Sequence, residues 1–129
     1  MADYGISREV ACGYEEAVER TRKALAAEGF GVLTEIDVKA TLKKKLDKDF
    51  RKYIILGACN PPYAYKALSS EREIGLLLPC NVIVYENDGG GATVSAIDPI
   101  VAMGMVENAE LGGVAKEVRQ KLVNVINNL

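Results

Sequence analysis

The segment Asn87-Asp88-Gly89-Gly90-Gly91 constrains the fold of this chain more than any other stretch. It places residues that tolerate positive φ between two short runs rich in β-branched side chains, residues 81–86 and 92–97. That pattern predicts a β-hairpin, and a hairpin needs a larger sheet or a helix layer to be stable. The same three glycines do not stand between a strand and a helix, so they read as a turn rather than a phosphate cradle.

Further elements follow from hydrophobic spacing. Residues 4–11 alternate loosely and read as a strand. Gly13 then opens a helix with Tyr14, Ala17, Val18, Thr21 and Leu25 on one side, stopped by Gly29 as a C′ glycine. Residues 30–36 form the next strand, and the two would flank a right-handed crossover if they were parallel neighbours. Asp37 is an N-cap for a short helix carrying Val38, Leu42 and Leu46. Residues 53–58 form a near-continuous apolar run, the pattern of a strand covered on both faces. Asn60-Pro61 opens a third helix reaching about Ser70, and Asp98-Pro99 opens a short turn around Met103. Residues 73–79, broken by Gly75 and Pro79, read as an extended connection. Leu111, Val114, Ala115, Val118, Leu122, Val125, Ile126 and Leu129 stripe one side of a long C-terminal helix. The expected architecture is α+β in the order β-α-β-α-β-α-β-β-α. Residues 1–129 would form one domain, with a single mixed sheet of about five strands.

A chain of 129 residues with 49% hydrophobic side chains can bury a core without metal or disulfide staples. Its three cysteines are an odd number, and residues 1–10 lack the basic and apolar regions of a signal peptide. Cytoplasm is therefore the expected compartment. A net charge of −2 gives no electrostatic reason to expect nucleic acid or a membrane as partner. The lysines at 39, 43, 44, 45 and 48 are followed by Asp47 and Asp49 without interleaved aromatics, and read as a solvated helix face.

Histidine is absent, which excludes Ser-His-Asp and Cys-His catalysis and any histidine-containing zinc site. The remaining concentrated chemistry lies at two Cys-Asn steps, Cys59-Asn60 and Cys80-Asn81. Cys59 would stand at a strand end before a helix N-terminus. Free N–H groups there would lower its thiol pKa or hold a small anion. Asp98 marks a second junction of this type. If the strands carrying Cys59 and Cys80 are antiparallel, the thiols share one end of the sheet. If they are parallel, the thiols stand about 17–20 Å apart. A ten-residue helix and an extended return favour the first arrangement. Against a site stands the use of cysteine as a small apolar filler, with Asn60 as a cap and Asn81 as a strand-entry residue. Cys12 reads as packing. Tyr63 and Tyr65 could wall a pocket above Cys59, and Met103 and Met105 could line one, though core packing also explains both pairs.

Taken in order, Gly29-Phe30-Gly31-Val32, Glu35-Ile36-Asp37, Gly57-Ala58-Cys59-Asn60-Pro61, Leu77-Leu78-Pro79-Cys80-Asn81 and Asp98-Pro99 resemble the family catalogued as domain of unknown function 302. The resemblance covers nearly the whole chain. Typical members are small prokaryotic proteins, some with the domain in tandem. It implies a compact α/β domain with one mixed sheet and a homodimer, and it supplies no activity or catalytic residue. The residues thus lead to three expectations. The first is a small-ligand or soft-metal binding module using Cys59, Asn60, Cys80, Asn81 and Asp98, with no metal ligand set assigned. The others are a thiol-dependent enzyme or redox carrier, and a non-catalytic homodimeric interaction protein.

Overall fold

The computed structural model describes residues 3–129. Met1 and Ala2, the start of the stretch read for a signal peptide, lie outside them. The elements are β1 (Gly5–Val10), α1 (Tyr14–Ala27), β2 (Gly31–Asp37), α2 (Val38–Leu46), β3 (Tyr53–Cys59) and α3 (Pro61–Ser70). A 3-10 helix (Arg72–Leu77), β4 (Cys80–Glu86), β5 (Ala92–Ile97), α4 (Pro99–Met103) and α5 (Ala109–Asn127) complete the chain.

The five strands form one sheet in the order β1-β5-β4-β3-β2. The α+β class and the strand number agree with the sequence reading, but the mixed direction does not. Every neighbouring pair is antiparallel. β1 and β2 do point the same way, yet they occupy opposite edges with the β4–β5 hairpin and β3 between them. The α1 crossover therefore joins no parallel neighbours, and its hand is not tied to the parallel-strand rule. The hairpin itself is as expected, with Gly90 at φ 99° and Gly91 at φ 77°. A β-carbon on Gly91 would lie 2.6 Å from the Val10 carbonyl oxygen, so the close approach of β1 also requires glycine there.

One face of the sheet carries Ile54, Leu56, Val82, Val84, Val94 and Ala96, all buried against helices. From the helix side come Ala17 and Leu25 of α1, and Leu111, Val114, Ala115, Val118, Leu122, Val125 and Ile126 of α5. The predicted stripe on α5 is thus the core stripe, with Leu129 half-buried beyond it. The β3 run is not covered on both faces. Tyr53 and Ile55 alternate with buried Ile54 and Leu56 and remain half-exposed, so helices cover only one side of β3.

Residues 73–79 are not extended throughout. Ile74 N–H bonds to the Glu71 carbonyl and Leu78 N–H to the Gly75 carbonyl, the i to i+3 pattern of a 3-10 turn. That compaction places Ile74 in the core at 1% exposure, an apolar gain that an extended strand without a sheet partner could not make. The Leu78–Pro79 peptide bond is cis. On α2 no residue is buried, and its lysines are exposed. Lys43 pairs with Asp47 at 2.8 Å and Asp49 at 3.6 Å, as a solvated face would. Among the described residues, no helix is long and apolar enough to cross a membrane.

Candidate functional site

The antiparallel pairing of β3 and β4 sets Ala58 opposite Cys80 and Gly57 opposite Asn81. Cys59 and Cys80 therefore belong to the same end of the sheet. Side-chain alternation then separates the two Cys-Asn steps. Cys80 shares the helix-covered face with Ala58, whereas Asn81 lies on the opposite, open face and is exposed.

A cavity of about 320 Å³ opens at this end, between α3, the 3-10 turn, α5 and the ends of β2, β3 and β4. Ala58, Cys59, Leu78, Pro79 and Cys80 come from the sheet end. Phe30, Leu33 and Thr34 come from β2 and its approach. Tyr63, Ala64, Ala67 and Leu68 come from α3, with Asn60, Gly75, Met103, Val114 and Val118 completing the wall. None of these side chains is charged. The small α3 residues create the space, because Ala64 and Ala67 repeat on one helix face where larger side chains would fill it. Gly57, opposite Asn81 on the open face, has no room for a side chain. A β-carbon there would clash with the Thr34 hydroxyl and lie 2.8 Å from Pro79 Cγ.

Cys59, Asn60 and Cys80 are thus brought together around one cavity, and Asn81 and Asp98 are not part of its lining. Asp98, nine-tenths buried, has a structural occupation. Its carboxylate accepts the Ile100 N–H at 2.9 Å and the Arg119 guanidinium N–H at 3.0 Å. Of the paired aromatics and methionines, Tyr63 and buried Met103 line the cavity, while Tyr65 and Met105 are each 75% exposed. Leu33, Leu68, Val114 and Val118 were legible only as elements of periodic runs. Nothing in their spacing distinguishes a cavity wall from a filled core.

The start of α3 does not provide the free donors expected of it. Pro61 and Pro62 have no N–H, and the Tyr63 and Ala64 N–H groups both bond to the Asn60 carbonyl, at 3.1 and 3.0 Å. The N–H groups of residues 61–64 are therefore all absent or occupied. Asn60 stands at the N-cap position, but its side chain does not cap. Its amide donates instead to the Glu28 carbonyl at 3.1 Å, tying the C-terminal end of α1 to the cavity rim. Gly29, at φ 85°, makes the turn that allows this contact.

The Cys80 thiol is pushed up to about 11 from an ordinary 9.0, chiefly by burial and also by the neighbouring Cys59 sulfur. It stays protonated at neutral pH. All three cysteines are unbonded. Among the described residues no group of three or more Cys, Asp or Glu side chains gathers as a metal site.

With this geometry in hand, the sequence pattern of the family described as "Domain of unknown function DUF302" matches residues 6–129. The chain belongs to the DUF302 family. Its fold is also similar to a crystal structure described as an uncharacterised conserved DUF302 protein from Bacillus stearothermophilus. That likeness has a TM-score of 0.90 and 30% sequence identity, covering 98% of each chain. No curated protein matches the chain. The family assigns no chemistry to this DUF302 domain, whose function rests on its site.

Proposed function

We propose that this DUF302 domain binds a small, largely apolar molecule in the cavity beside Cys59 and Cys80. One observation carries the reading: a cavity of about 320 Å³ with no charged side chain in its wall, at the lower end of the 300–1,000 Å³ typical of ligand sites. Cys59 and Cys80 contribute polarizable sulfur to that wall, and burial holds Cys80 as the neutral thiol. A two-unit rise in pKa lowers the thiolate population of Cys80 about 100-fold at pH 8, which counts against nucleophilic or redox use of that group. Residues 61–64 of α3 leave no free N–H to hold an anion beside Cys59. Two thiols without a third ligand make a poor metal site. Three unbonded cysteines suit a reducing compartment, and we place the protein in the cytoplasm.

The neutral fluorophore N-phenyl-1-naphthylamine tests the ligand reading. Its emission is expected to rise on mixing with the protein, saturably and at one site per chain. Ala67→Phe, which fills the cavity from α3, is expected to weaken binding at least tenfold. A wild-type protein that leaves the emission unchanged, or equal binding by a folded Ala67→Phe variant, would end the reading.

A second reading concerns assembly and has its own observation. The open face of the sheet runs from Ser7 through Ser95, Ile83 and Ile55 to Ile36 without a charged side chain. Tyr53 and Tyr85 stack beside that row at 5.5 Å between ring centroids. Depletion of charge with enrichment of aromatics marks the centre of protein interfaces. A second copy stacking sheet on sheet, about 10 Å away, would cover the face on both chains. Sedimentation equilibrium at micromolar concentration is expected to give twice the 13.9 kDa chain mass, and a monomer mass would refute it.

A further inference from the structure

We infer that the cavity is selective for amphipathic monocarboxylates, small straight-chain or aryl acids whose apolar body enters the cavity while the carboxylate stays at Tyr63 beside Lys66 and Lys121. The inference rests on the small-ligand reading above and adds the chemical class of the ligand. Tyr63 lines the cavity from the first turn of α3 and is half-buried. Two ammonium groups stand over its ring. Lys66 Nζ lies 5.5 Å from the ring centroid and Lys121 Nζ, reaching across from α5, lies 6.0 Å from it. Both distances are within cation–π range, so this one ring, which lines the cavity, anchors both cations.

Neither lysine forms an ion pair among the described residues. Glu110 shares a surface hollow with Lys66 without pairing to it. Lys121 is only partly exposed. An incompletely solvated ammonium without a counter-charge is stabilised by an incoming anion more than a fully hydrated one is. The cavity wall itself offers no cation, so a charged ligand has to leave its charge at this rim and bury the rest.

Size sets the apolar part. At about 30 Å³ for each water-sized group, 320 Å³ accommodates roughly ten methylene-sized groups. The headgroup is set by the donors available. Phosphate sites draw on free backbone N–H groups at a helix start, and residues 61–64 of α3 offer none. Two flexible point charges suit a single carboxylate. A cationic ligand has no carboxylate to meet in the wall.

Decanoate and 1-decanol share a chain and differ in charge, which makes them the discriminating pair. Each is titrated against the N-phenyl-1-naphthylamine complex at pH 7.5. Decanoate is expected to displace the fluorophore at least tenfold more tightly than decanol. Raising NaCl from 50 to 500 mM should weaken decanoate several-fold and leave decanol unchanged, a measurement that needs no variant. The double variant Lys66→Gln/Lys121→Gln is expected to bring decanoate to the level of decanol while fluorophore binding persists. Equal displacement by the two compounds, or decanoate binding indifferent to both salt and the double variant, would overturn the carboxylate class and leave the apolar cavity standing. Failure of the fluorophore itself to bind would overturn the underlying ligand reading instead.

Discussion

Cys80 shows at the scale of one residue how position overrides chemistry. As a thiol facing helices from the first position of β4, it loses hydration on folding, and its neutral form is favoured. The consequence for stability has a definite sign. Below pH 9 both folded and unfolded chains keep the proton, and nothing changes. Above pH 9 the unfolded chain releases it while the folded chain holds it up to about 11, so stability falls across that window. The loss for a two-unit shift is on the order of 3 kcal/mol once the pH passes 11. Tyr14 and Tyr53, both raised first by burial, add in the same direction at higher pH. Urea unfolding between pH 8 and 10.5 is expected to show a falling free energy, with a shallower slope in Cys80→Ala. An unchanged slope would mean that Cys80 ionises equally in both states. The presence of the thiol was legible in the sequence, but its protonation was not, because desolvation comes from α3, α5 and β3 packing around it.

The helix starts at Asp37, Asn60 and Asp98 were legible in the sequence, yet the Asx residues at four helix starts act in three different ways. Asp37 and Asn108 cap with their side chains, the first accepting the Ala40 N–H at 2.9 Å and the second the Glu110 N–H at 3.0 Å. Asn60 occupies the same kind of position but turns its amide toward Glu28, since the two prolines after it remove the first donors a cap would serve. Asp98 combines a cap on α4 with the Arg119 contact from α5, and so joins two helices to the end of β5. Asp98→Ala is expected to cost about 1–2 kcal/mol in chemical denaturation, mainly from the cap, with a smaller part from the partly exposed ion pair. Asp98→Asn keeps an oxygen for the Ile100 N–H and is expected to recover more than half of that loss. Equal losses in the two variants would assign the stability to the ion pair instead. The Asn60 and Asp98 sequences look alike, Asx followed by proline, and only the neighbouring elements separate their roles.

The sheet order governs everything at the scale of the whole molecule. By inserting the β4–β5 hairpin between β1 and β3, the chain becomes wholly antiparallel. This brings Cys59 and Cys80 to one end and leaves a five-strand face uncovered by helices. If that face pairs two copies, Ile83→Asp at its centre is expected to give a folded monomer. Circular dichroism would be unchanged, and the apparent mass would be halved in sedimentation. A dimer that survives the substitution would place the contact elsewhere.

The sequence alone determined most of the elements, the 3-10 turn at Arg72–Leu77 excepted, because helical spacing, strand alternation, glycine turns and Asx-Pro starts are local properties of a few neighbouring residues. It also determined what this DUF302 domain cannot do by histidine chemistry. The tertiary structure decided strand direction and the depth of burial. It also separated Asn81 from Cys80 and left a cavity between Ala67 and Ala58, where residues far apart in the chain fail to fill the space. Those outcomes depend on long-range packing, and no single segment carries them.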